Sequence, residues 1–164
     1  MPKQYTVLLL IFFPLLVHAQ VLPNNWKLIG QAELNVLWFD IYQAQLLSST
    51  GQYQGDSQPL LLKLNYQRDI SKEELLRVTR KEIEKFASKE KADIWINNLD
   101  KIWLDIKEGD ELSFWIDNAG VGHFFFKDRW IGSIAEPEFS QAFIQIWLSD
   151  RSSYPKLAKQ LKGE

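Results

Sequence analysis

The chain has 164 residues, 19 basic and 21 acidic, a formal net charge of −2 and no cysteine. Such a mixed, slightly acidic composition carries no electrostatic footprint for nucleic acid or for anionic membrane surfaces. With no cysteine there is no disulfide framework, no thiol chemistry and no lipidated N-terminal Cys, so stability must come from packing, for which seven Trp, ten Phe and five Tyr are available.

The first element is a leader, MPKQYTVLLLIFFPLLVHAQ. Lys3 gives a positive start, Val7 to Val17 form an uncharged apolar run, and Val17-His18-Ala19 supplies compact residues at a cleavage site. This is the three-part plan of a secretory signal peptide, with cleavage expected after about Ala19 and a periplasmic mature protein. A spanning helix needs about 20 apolar residues; this run is about half that length and is interrupted by Pro14. Cleavage would leave residues 20–164 as one domain of 18 basic and 21 acidic residues, net charge −3, since Lys3 leaves with the leader. No later segment is long and apolar enough to span a bilayer, so no stable membrane anchor is expected after cleavage.

Residues 28–48 are rich in Leu, Ile, Val and aromatics and alternate in places, which predicts two strands, 28–37 and 39–48. Ser49 to Ser57 is a polar loop with two glycines, and Pro59 to Asn65 a third, strongly apolar strand. The period then changes. Ser71 and Glu74 fit a capping box, and Leu75, Leu76, Thr79, Ile83 and Phe86 share a face, predicting a helix over 72–88. A second helix is predicted over about 92–105, with Trp95, Leu99, Ile102 and Ile106 on one stripe. Lys107 to Asp110 is a turn; Glu111–Asp117, His123–Phe126 and Trp130–Ile134 read as strands. Glu136-Pro137 opens a helix with Phe139, Phe143, Ile146 and Trp147 on its apolar face, because proline suits the first helical position. Ser153 and Pro155 open a last short helix with Leu157 and Leu161. Three strands, two helices, three strands and two helices predict an α+β domain: an antiparallel sheet covered on one face by helices.

Chemistry is sparsely marked. The mature chain holds one histidine, His123, and no His/Cys/carboxylate cluster with ligand spacing, so no metal or other cofactor is expected. Asp105, Glu108, Asp110 and Glu111 surround a turn without the spacing of a calcium loop and read as a solvated turn. There is no GxSxG, GxGxxG or P-loop. His123 is read as a strand-end surface histidine, with no nucleophile or orienting acid marked beside it. Tyr66-Gln67-Arg68-Asp69 ends an apolar strand just before a helix. Arg68 could hold an anionic head group, because a guanidinium fork suits a carboxylate, or it could pair with Asp69 or another acid and fix the corner. Tyr42, Tyr66 and Trp147 could line a pocket or simply pack the core.

Three stretches, IGQAELNVLWFDIYQAQL (29–46), LKLNYQRDISKEEL (62–75) and FFFKDRWIGSIAEPEFSQAFIQIWLS (124–149), resemble the bacterial chalcone-isomerase-like family of exported proteins. The most specific parts are Tyr-x-Arg-Asp-Ile at 66–70 and Gly-x-Ile-x-x-x-x-Phe-x-x-x-Phe-x-x-Ile-Trp-Leu at 132–148. The resemblance implies the chalcone isomerase open-faced sandwich. In the plant enzyme of this fold an arginine on an early strand, with Tyr, Asn and Thr, holds a flavonoid oxyanion; related plant proteins bind fatty acids with an arginine and a tyrosine. The segment matching that early strand, Leu28 to Val36, holds no arginine, so the main stabiliser of a developing phenolate is missing and no catalytic residue is carried over. In relatives the hairpin before Trp130 often has Asn-Gly; here Asp128-Arg129 stands in that place, and a left-handed Arg129 would cost about 1 kcal/mol.

The resulting expectation is a non-catalytic protein that binds a fatty acid or other small amphipathic ligand, with Tyr42, Tyr66, Arg68 and Trp147 as candidate site residues. An isomerase or lyase would need Tyr42, Tyr66 and Arg68 to converge in one cleft. An envelope interaction protein would instead show an exposed apolar patch; which protein partner it would take is not written in the sequence.

Overall fold

The computed structural model describes residues 21–36, 39–56 and 58–164. The leader, position 37 of the first predicted strand and Ser57 of the polar loop lie outside the described residues. The elements run β1 (Lys27–Val36), β2 (Phe39–Ser48), β3 (Leu60–Tyr66), α1 (Lys72–Ile83), α2 (Lys89–Ile102), β4 (Glu111–Ile116), β5 (Gly122–Phe126), β6 (Arg129–Ile134), α3 (Pro137–Leu148) and α4 (Pro155–Leu161). The six strands form one antiparallel sheet in the order β1-β2-β3-β4-β5-β6, as the block order of the sequence predicts.

Alternation along the strands sends one set of side chains to the helices. Leu34, Leu46, Leu62, Leu64, Phe114 and Phe124 join Trp95, Leu99, Phe139 and Phe143 from the helices in a single buried cluster. Aromatic pairs dominate its middle: Phe114 lies 4.9 Å from Phe124 and 4.6 Å from Phe143, centroid to centroid. The opposite face is polar over one end of β1 to β4, while Leu61 on β3 and its β4 partner Trp115 make it apolar at the other. At the polar end a shallow groove of about 690 Å³ is bordered by Gln31, Gln43, Gln45, Lys63, Asn65 and Glu111 among others. Two pairs of its side chains are bonded to each other, Gln43 donating to Glu33 and Lys63 pairing with Glu111 at 2.9 Å. It is a solvated sheet surface.

The helices begin where side chains meet their free amides. Ser71 accepts from the Glu74 N–H at 3.1 Å and Ser88 from the Lys91 N–H at 3.3 Å. Ser88 thus starts α2 three residues earlier than the predicted 92. α1 ends at Ile83 rather than 88, and α2 at Ile102. Ile106 is consequently not helical: it forms an isolated antiparallel bridge with Ile70, which closes the corner after β3.

Two sequence readings are corrected. First, the left-handed residues of the β5–β6 hairpin are Lys127 (φ 48°) and Asp128 (φ 62°), while Arg129 is the first residue of β6 opposite Phe126. Positive φ at both central residues is what a type I′ two-residue turn requires. Asp128→Gly should therefore stabilise the protein by up to about 1 kcal/mol, read as a higher denaturant midpoint at unchanged slope. Second, His123 is only 4% exposed. Trp115 stacks on its ring at 4.8 Å, its Nε2 meets Asp117 at 3.0 Å and its Nδ1 meets Ser133 at 2.8 Å. The surface reading fails because cross-strand neighbours on β4 and β6 cover the ring, and these are remote in sequence.

The acidic turn is held by the protein itself. Asp105 accepts from the Lys72 N–H at 2.8 Å, Asp110 pairs with Lys127 at 2.6 Å and Glu111 with Lys63.

Candidate functional site

Between the sheet and the helices lies a cavity of about 300 Å³, the low end of the usual range for small-ligand sites. Its floor comes from Leu34, Val36, Ile41, Tyr42 and Tyr66 on β1 to β3; its roof from Leu75, Val78 and Thr79 on α1, Ile146 and Trp147 on α3, and Leu157 on α4. The walls are mainly apolar. Charge enters through Arg68, Glu74 and Glu82. Val78 and Tyr154 remain 45% and 41% exposed and mark the opening.

All four residues singled out from the sequence line this cavity. Tyr42 and Tyr66 face each other in the β2–β3 register, and their rings meet edge to face at 5.7 Å. Trp147 reaches down from α3 to donate its Nε1–H to the Tyr42 hydroxyl at 2.9 Å. The Tyr42 proton is left to point elsewhere. Burial, and then the neighbouring Tyr66, push the Tyr42 phenol far above its ordinary value; burial alone does the same for Tyr66. Both therefore stay protonated at any physiological pH and keep an O–H that can donate.

Arg68 follows β3 and precedes α1. Its Nε contacts the backbone carbonyl of Asp69 at 3.4 Å. The Asp69 carboxylate pairs with Lys107 at 3.0 Å and accepts from the Glu108 N–H at 2.9 Å, which ties the corner to the turn before β4.

The sequence reading missed Thr79 and Glu82, whose signal was available: positions 74, 78 and 82 repeat at i, i+4 on α1, and 75 and 79 lie beside them. It also missed Tyr154, which carries no pattern of its own. Glu82 is 8% exposed. Burial would raise its pKa, but the hydrogen bond and charge of Lys85 at 2.6 Å and the Ser153 hydroxyl at 2.8 Å outweigh this and hold it below the ordinary value. A carboxylate with a lowered folded pKa adds stability above its unfolded pKa and loses it as pH falls through the folded value. The stability gap between the native protein and Glu82→Gln should thus be widest near neutrality and close as pH drops below about 4.5, measured by thermal melts across that range.

This architecture agrees with the sequence comparisons. The profile of the chalcone isomerase-like family matches residues 17–163. The chain belongs to the chalcone isomerase-like family. An uncharacterized protein of Haemophilus influenzae is 31% identical over 141 residues, covering 85% of this chain and 69% of the relative. The crystal structure of a fatty-acid binding protein of Arabidopsis thaliana superposes with a TM-score of 0.70 at 9% identity, over 87% of this chain and 89% of that one. At that identity the likeness concerns the fold. Among the described residues no helix is long and apolar enough to cross a membrane.

Proposed function

We propose that this member of the chalcone isomerase-like family is a non-catalytic binding protein for a small amphipathic ligand of the fatty-acid class. The carrying observation is the cavity: mainly apolar walls, one guanidinium, and two phenols kept protonated by burial. Apolar walls take an acyl chain through area burial, and Arg68 takes a carboxylate through a charge-assisted hydrogen bond. The Arabidopsis neighbour's fatty-acid binding supports the class of ligand.

The isomerase or lyase reading draws on the convergence of Tyr42, Tyr66 and Arg68 in this same cavity. Phenols with strongly raised pKa values are poor proton acceptors near neutrality, and β1 supplies no arginine. Binding is the better match.

The leader adds an address: export, cleavage after about Ala19 and a periplasmic mature domain of residues 20–164. N-terminal sequencing of protein from the periplasmic fraction tests this, and a start at Met1 would overturn it.

Native mass spectrometry of protein purified from its own host, with a thermal-shift panel of fatty acids, tests the ligand class. A clean unliganded mass together with no shift from any acid would remove the reading. Arg68→Ala should weaken binding of a fatty acid about tenfold, the share of one charge-assisted hydrogen bond, and leave binding of the corresponding methyl ester nearly unchanged; calorimetric titration of the two ligands checks it.

A further inference from the structure

Behind the main cavity lies a smaller pocket of about 30 Å³, walled by Leu62, Leu64, Trp103, Leu112, Phe114 and Phe143 among others. Tyr66, Leu75, Thr79 and Trp147 line both, so the small pocket is the inner end of the large one. Arg68 belongs only to the outer compartment and Trp103 only to the inner.

The inner end is mainly apolar yet holds a buried donor without an acceptor among the described residues. Trp103 closes α2 and is 6% exposed, with its ring edge-on to Phe124 at 5.7 Å. Its Nε1–H is fully buried and has no hydrogen-bond partner among the described residues. Tyr66, 4% exposed, lines the same pocket and brings a hydroxyl to it. Thr79, 8% exposed, brings a second hydroxyl to the same wall. An indole N–H can only donate, and a phenol that stays protonated keeps an O–H to donate. A buried donor left unpaired costs about 1–3 kcal/mol, so whatever fills the inner pocket gains by presenting an acceptor.

We propose that the ligand carries an acceptor oxygen, a chain carbonyl or hydroxyl, in the apolar half remote from its head group, received by Trp103, Tyr66 and Thr79 at the inner end of the cavity. The inference rests on the amphipathic-ligand reading above and narrows it from plain to oxygenated acyl chains. The inner volume suits one oxygen atom, being about the space of a single water. Specificity of this kind follows from chemistry: a site built to hydrogen-bond an oxygen leaves its own donors unpaired when the ligand lacks one.

The test uses the full mature domain and calorimetric titration with hexadecanoic acid and a series of its oxo derivatives, the carbonyl moved stepwise along the distal half of the chain. At least one oxo isomer is expected to bind about tenfold tighter than the plain acid, in keeping with one buried donor satisfied. Trp103→Phe should bring that advantage close to parity. Tyr66→Phe, which removes the second donor and keeps the ring, should narrow it too and serves if Trp103→Phe does not fold. Equal binding of plain and oxo acids overturns the inference and leaves the amphipathic-ligand reading standing; the pocket then holds a water. An advantage that survives both Trp103→Phe and Tyr66→Phe overturns it as well. Failure of every acid to bind removes both.

Discussion

Phe124→Ala is expected to lower the unfolding free energy by about 3–5 kcal/mol, the usual cost of emptying a buried aromatic site. Phe124 is 0% exposed and sits where the aromatic cluster is densest. Its ring centroid lies 4.9 Å from Phe114, 5.4 Å from Phe143, 5.7 Å from Trp103 and 6.2 Å from Phe139. These neighbours come from β4, α3 and the end of α2, so the ring ties the sheet to two separate helices. They are large and mutually wedged, and cannot collapse into the vacated space, which is the condition for a cost near the top of the range. Against a total stability of about 5–15 kcal/mol such a loss leaves a marginal protein. Urea denaturation should show a sharply lower midpoint with the slope retained. A midpoint shift worth less than about 1 kcal/mol would mean that the cluster is not the structural centre described here. Phe124→Leu, which keeps more of the volume, should cost clearly less.

Gly30→Ala is the second large effect, and it acts on the cavity as well as on stability. Gly30 lies on β1 under the end of α4. A β-carbon there would come within 2.6 Å of the Leu161 carbonyl oxygen and closer still to that of Gln160. Both are backbone atoms, so no rotamer change relieves the clash, and α4 must lift off β1 or β1 must bend. The expected cost is about 3 kcal/mol or more, at the upper end for overpacking. Because Leu157 of α4 and the preceding Tyr154 line the cavity, lifting α4 opens it. Gly30→Ala should therefore show faster amide exchange across residues 155–161 and weaker ligand binding together. Normal protection of α4 in this variant would refute the close approach of strand and helix.

Much of the architecture was legible in the chain. Leu60, Leu62 and Leu64 alternating into Tyr66, Ser71 ahead of a charged amphipathic run, and Pro137 ahead of Phe139 and Phe143 each state a local preference that the fold keeps. Boundaries were less legible where the signal was a single side chain. Ser88 was not read as a cap, and Ile106 fell in step with the α2 stripe by spacing alone, although its backbone is bonded to Ile70. The candidate site was partly visible. Aromatic and guanidinium side chains near a strand end raise a pocket as a possibility, and Tyr42, Tyr66, Arg68 and Trp147 do meet in one cavity.

The sequence by itself determined the fold class and the family, because hydrophobic period, caps and turn residues are local properties written over a few adjacent positions. It also determined what is missing: no cysteine, no clustered metal ligands and no arginine in the β1 segment. The tertiary structure alone decided what each polar group near the core does. His123 became buried because Trp115 and Ser133 arrive from neighbouring strands. Asp69 found Lys107 and Glu82 found Lys85 and Ser153, whereas the Nε1–H of Trp103 found none among the described residues. Whether a buried donor is satisfied depends on distances of a few tenths of an ångström between residues that the fold brings together from different elements. No local pattern encodes such distances, and they are what separates packed core from binding cavity.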